Sequence, residues 1–218
     1  MSVPLKVVSA PNGGRMWAGI VGPVLFTSTF VIAGSLRAGY DSRAMFISAL
    51  SLGPHGWVQI LNFVVFGLLL LTFARRVAVA TSSRVGPALL TIIAFGNIVV
   101  GLFVMDPVGT PRNLASFQGT VHHFVSRLVL FLMPVSCFAL VSPFHQEPKW
   151  RSLEGYTLAA GTTIIVAVAT LAVATMVPSA QDAFTPWLGL IQRAAVVPYM
   201  AWLFIVALIL RRTDRSVC

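Results

Sequence analysis

Six apolar stretches separated by polar tracts run along the chain, at about residues 17–36, 56–74, 87–105, 123–142, 157–177 and 187–210. As helices rising about 1.5 Å per residue, each is long enough to cross a hydrocarbon core of about 30 Å. The pattern predicts an all-α polytopic membrane protein: one integral membrane domain over 1–218, built as a bundle of six transmembrane helices. The first stretch is too long for the apolar core of a signal peptide, which is about 7–15 residues. It is therefore expected to remain as the first span. Between spans, residues 37–55 and 106–123 are long for helix–helix connections, rich in Gly, Pro and Ser, and only half polar. Long connections of this kind are structured and functional or else disordered, and the apolar content argues for structure. Residues 45–52 are apolar enough to lie along the membrane surface or to re-enter slightly. The three helix pairs cannot be aligned residue by residue, so no duplication is read.

Composition agrees with this pattern. Of the 218 residues, 57% are hydrophobic and 10% charged, against about 25% charged in soluble domains. A soluble enzyme, a disordered chain and a fibrous repeat are excluded together. The net charge of +9 points first to nucleic acid, but only two of the fifteen basic residues are Lys. They sit in short tracts between apolar runs rather than on one exposed face, so no nucleic-acid partner is expected. The positive-inside rule explains them instead. Ten basic residues (Lys6, Arg15, Arg75, Arg76, Arg84, Lys149, Arg151, Arg211, Arg212, Arg215) fall on one side, and only Arg37, Arg43 and Arg112 in the loops of the other. Both termini are thus expected in the cytoplasm of a bacterial or archaeal cell, with the chain in the plasma membrane. Cys137 and Cys218 suggest no disulfide framework.

The polar residues near the outer side carry the functional signal. Asp41, Asp106, Asp182, His55, His122 and His123 all fall there. In the second span His55, Gln59, Asn62 and Phe66 follow i, i+4, i+7, i+11 spacing and share one helix face. In the fourth, His123 and Arg127 stack on one face, and His122 and Ser126 on the adjacent one. The third span carries Asn97, and the sixth carries Gln192 and Arg193. Intramembrane polar groups are costly and face partners in the bundle interior. Each has a structural alternative: snorkelling for Arg127, an ion pair with an outer Asp for Arg193, and interhelical hydrogen bonding for Asn62 and Asn97. Their joint occurrence on one side is what points to a ligand pocket made of Asp41, His55, Gln59, Asn62, Asp106, His123, Arg127 and Arg193.

Several chemistries fit such a set. Two arginines with a histidine can grip a phosphate or carboxylate headgroup. His55, Asp106, His122 and His123 can instead supply a zinc site for lipid hydrolysis, although no H-E-x-x-H spacing is present. Two axial histidines for a b-type haem are a further option, and otherwise no cofactor is expected. A retinal Schiff base is excluded by the lack of Lys in any span. The spans also lack the acidic residues of a proton-driven transporter, and there is no phosphate-binding loop or nucleophile elbow. Small residues such as Gly19, Gly22, Gly96, Gly101, Ala160 and Gly161 permit close helix contacts. Pro134 and Pro198 are expected to kink the fourth and sixth helices and open space between them. Trp17, Trp57, Trp150, Trp187 and Tyr156 read as interface anchors.

The run LRAGYDSRAMFISALSLGPHGWVQILNFVVFGLLLLTFA, followed by GLFVMDPVGT and GTVHH, resembles the prokaryotic membrane family catalogued as domain of unknown function 998, from about residue 20 to 210. The resemblance implies a six-helix membrane protein and brings no activity with it. It also implies that Tyr40, Asp41, Ser48, Asn62, Asp106, Pro107 and His122 or His123 belong to the family pattern. The outer Asp followed by His is similar in layout to six-helix proteins of the Frag1/DRAM type, which keeps lipid-linked functions in view. The leading expectation is a protein that binds a small molecule or lipid headgroup in an outward-facing polar pocket, as sensor, transport component or scaffold. A metal-dependent lipid hydrolase and a structural partner of another membrane protein are the alternatives, and the oligomeric state stays open.

Overall fold

The computed structural model describes residues 13–81, 83–107 and 109–215; Lys6 and Cys218 lie outside them. The described residues contain helices and no strand. The helices are α1 (Gly13–Leu36), α2 (Gly56–Thr81), α3 (Val85–Leu102), α4 (Phe117–Gln146), α5 (Ser152–Met176), the short α6 (Pro178–Phe184) and α7 (Leu188–Arg215). Six of these are long and apolar enough to cross a membrane, the sixth being α7 with its α6 approach. The expected spans are all present, with shifted ends. α2 runs on through Arg75 and Arg76 to Thr81, and α4 begins at Phe117, six residues before the apolar run. Short α6 is an addition, started by Pro178 at its first turn.

The long helices close into a ring. α1 packs on α2, α2 on α3, α3 on α4, α4 on α5, α5 on α7 and α7 back on α1, with α4 and α7 touching across the middle. An even number of crossings leaves both termini at one end of this ring. The opposite, long-loop end carries residues 37–55, 103–116 and 177–187.

Small residues set the helix spacing where chains come closest. A side chain at Gly67 would run into the Ala94 carbonyl and Ile98, so α2 and α3 pack with backbones nearly touching. Phe26, Phe30, Phe63 and Phe66 join α1 to α2, with ring centroids 4.8–5.7 Å apart. Lipid offers no partner for a stray donor, and several interior polar groups pair across helices. Trp202 Nε1 donates to Thr157 Oγ1 at 3.0 Å, joining α7 to α5. The Tyr199 and Ser136 hydroxyls meet at 3.1 Å, joining α7 to α4. α4 continues through Pro134 and Pro143, and α7 through Pro198.

Candidate functional site

The first long loop folds down into the mouth of the ring. Its apolar residues 47–51 form a 3-10 turn, Ile47–Ser51, buried along its whole length against α1, α2 and α7. Such a turn leaves backbone groups without helical partners, and neighbouring side chains supply them. Gln192 accepts from the Ile47 N–H (2.8 Å), and Arg37 donates to the Ala49 carbonyl (2.6 Å). Arg193 donates to the carbonyls of Ser42 (2.7 Å), Met45 (3.0 Å) and Gly189 (2.9 Å), and to the Tyr40 hydroxyl. Partial burial pushes the Tyr40 phenol above its ordinary value, even with Arg193 beside it. Asp41 lies outside this clamp. It accepts from the Arg43 backbone N–H at 2.9 Å and pairs loosely with the Arg43 guanidinium. Those hydrogen bonds hold its carboxyl below the usual range.

The second long loop places Asp106 on the start of α4. Ser116 caps that helix, accepting from the Gly119 N–H at 2.9 Å. The Ser116 hydroxyl and backbone N–H (2.9 Å to the carboxylate) hold Asp106 below its ordinary pKa. Asp106 presses against Gly119 so closely that any side chain there would collide with the carboxylate. A fixed negative charge at a helix N-terminus is favourable, and a glycine lets it approach.

Behind that cap lies a cavity of about 330 Å³ between α4, α5, α7 and the buried turn. Its polar side is made by Ser48, His122, His123, Ser126, Arg127, Thr175 and Gln192. Its apolar side includes Leu130, Phe131, Val168, Leu171 and Met176. Phe131 and Met176 are also exposed on the outer surface of the ring, so the cavity reaches the face that a bilayer would cover. A smaller space of about 50 Å³ continues toward the middle, sharing Ser48, Ser126, Leu130 and Gln192 and reaching Asn97. Leu130 stands one turn before Pro134, which has no N–H to return to its carbonyl.

The decisive side chain is His122, 1% exposed. Its Nδ1 lies 2.7 Å from the Phe103 carbonyl. A carbonyl only accepts, so Nδ1 carries the proton, and in the neutral ring Nε2 is a bare lone pair. That Nε2 is buried without a partner, as is the Ser126 hydroxyl one turn further along the same wall. His123 stands beside it, rings at 5.9 Å and 88°, but is exposed. Arg127, also exposed, donates to none of the described residues.

The family model described as "Protein of unknown function (DUF998)" matches residues 20–209. The chain belongs to this family. No curated protein and no solved structure matches it.

Of the eight pocket residues expected in this DUF998 protein, His123 and Arg127 line the cavity and the other six lie elsewhere. Arg193 is taken up by carbonyls rather than by an outer Asp, because the folded loop brings them within reach first. Asp106 caps α4. Gln59 and Asn62 are buried, and Asn62 Nδ2 donates to the Phe26 carbonyl (3.1 Å) and Gln59 Oε1 (3.3 Å), joining α2 to α1. His55 is exposed just before α2, and Asp41 is exposed in its turn. The four candidate zinc ligands are not drawn together: among the described residues no three His, Cys, Asp or Glu side chains group to hold a metal. Sequence spacing paired Ser126 with His122 but did not place either in the pocket. Thr175 carried no signal, being one of several threonines in α5.

Proposed function

We propose that this DUF998 protein binds a small molecule or lipid headgroup in the cavity between α4, α5 and α7. The protein sits in the plasma membrane with both termini in the cytoplasm, and the cavity lies in the outer leaflet. The excess of Arg and Lys at the termini end supports that orientation. The observation that carries the reading is a buried, unpartnered polar atom on each of two residues that line the cavity, His122 Nε2 and Ser126 Oγ. An unpaired polar group in a low-dielectric interior costs about 1–3 kcal/mol, and a ligand that satisfies it recovers that cost. The volume falls at the lower end of ligand sites, which run about 300–1,000 Å³. Mixed polar and apolar walls suit an amphiphile.

Native mass spectrometry of the protein extracted gently from its own membrane tests this. The wild type is expected to carry one adduct per chain. His122→Phe should lose it while staying folded at a lower melting temperature, because the Phe103 carbonyl is stranded. Ser126→Val should hold it more weakly while melting at a wild-type temperature. A bare wild type, or an adduct held by both folded variants as firmly as by the wild type, overturns the reading.

A further inference from the structure

We infer that the cavity selects a polyol phosphate, the head of an anionic lipid that bears free hydroxyl groups. This rests on the binding reading above and names its ligand class. Three features of the wall lead to it.

The first is the polarity of the buried hydrogen-bonding atoms. With Nδ1 committed to the Phe103 carbonyl, Nε2 of His122, a residue of the cavity lining, is left as an unpartnered acceptor. Its partner must be a donor, so an ester carbonyl, a bare phosphate diester or a quaternary ammonium cannot satisfy it. A hydroxyl can, and a hydroxyl also complements the Ser126 Oγ, which both donates and accepts. The two polar side chains stand one helical turn apart on α4, so a head with more than one hydroxyl or phosphate oxygen can serve both.

The second is charge. The lining contains His122, His123 and Arg127 and neither Asp nor Glu. Arg127 has no partner among the described residues, and its planar fork suits phosphate. Asp106 carries its charge outside the lining, tied to Ser116, and acts on the cavity only through its attraction for His123. An ethanolamine head has a donor for His122, yet its ammonium would meet a lining that holds a guanidinium and no carboxylate of its own. Choline lacks the donor as well. A glycerol or sugar phosphate meets both demands.

The third is the route. Beyond the polar wall the lining turns apolar through Leu130, Val168 and Leu171 to Phe131 and Met176, which are exposed on the bilayer-facing surface. A cavity of about 330 Å³ holds a head and leaves the acyl chains to lie along that face.

The test uses the full chain in micelles doped with equal phosphatidylglycerol and phosphatidylcholine, read by native mass spectrometry during progressive delipidation. One phosphatidylglycerol is expected to be retained over phosphatidylcholine by about tenfold, the scale of one charge-assisted hydrogen bond. Arg127→Gln, on an exposed position that does not threaten folding, should bring the two lipids near parity. Ser126→Val should weaken retention without changing the charge preference. Equal retention of the two lipids by the wild type, or a preference that survives Arg127→Gln, overturns the polyol phosphate assignment. If a different ligand is then held and is lost in His122→Phe, the cavity remains a site and only the ligand class falls. If nothing is held, both fall. Adding free glycerol 3-phosphate separates two sources of the same chemistry: displacement of the lipid assigns the site to a soluble ester, and no displacement assigns it to the membrane.

Discussion

Arg193 and Arg127 both rise from helices at the long-loop end, and the sequence presents them alike, as single cations near the end of an apolar run. Their surroundings differ. Arg193 spends its guanidinium on three backbone carbonyls and the Tyr40 hydroxyl, closing the first loop over the ring. Arg127 faces a cavity whose deepest polar atoms are themselves unpartnered. In a membrane interior a polar group either finds protein partners and becomes structure, or waits for a ligand and becomes a site. The same residue type serves both ends, and the neighbours decide which.

The largest effect should come from breaking the saturated arginine. Arg193→Ala strands the Ser42 and Met45 carbonyls and frees the buried turn; a loss of about 2–4 kcal/mol is expected, read as a lower melting temperature in detergent. Arg193→Lys should restore only part of it, since a point charge cannot span several acceptors. Next comes Arg127→Gln, which is expected to leave stability within about 0.5 kcal/mol while ligand retention falls. A matching stability loss in both variants would erase the contrast between them.

The smallest effect concerns Asp106, which links the loop to the cavity wall. Its pKa is lowered by bonds from Ser116 that exist only in the folded chain. Its stabilising contribution is therefore complete above the unfolded carboxyl pKa of about 3.9. It disappears as pH falls through the depressed folded value. Asp106→Asn should melt slightly below wild type at neutral pH, and the gap should close on acidification. Parallel melting curves from neutral to acid pH check this, and a gap that is constant with pH would remove the charge from the argument.

Much of the fold could be read from hydrophobicity alone, because lipid enforces long apolar helices with few exceptions. The misplaced ends have local causes. Arg75 and Arg76 look like a loop, yet no Gly or Pro stands between them and Thr81, where α2 ends, and Arg76 is itself buried. Residues 117–122 look like loop because Gly119 sits among polar residues, although the Ser116 cap starts α4 there. The half-apolar character of residues 45–52 did signal a segment that tucks inward. Site residues were harder. Helical spacing puts Asn62 and Arg193 toward partners but cannot say that those partners include backbone carbonyls, which carry no sequence signal. Nor does it distinguish His122 from His123, since the choice depends on the Phe103 carbonyl across the α3–α4 loop.

The central claim is that His122 holds out an acceptor to a ligand, and nitrogen-15 NMR of the labelled histidine tests it most directly. The ring should be the neutral Nδ1–H tautomer, with an Nε2 resonance that shifts when phosphatidylglycerol is added to delipidated protein and needs about tenfold more lipid to shift in Arg127→Gln. An Nε2–H tautomer, or an Nε2 signal indifferent to every lipid offered, would contradict it.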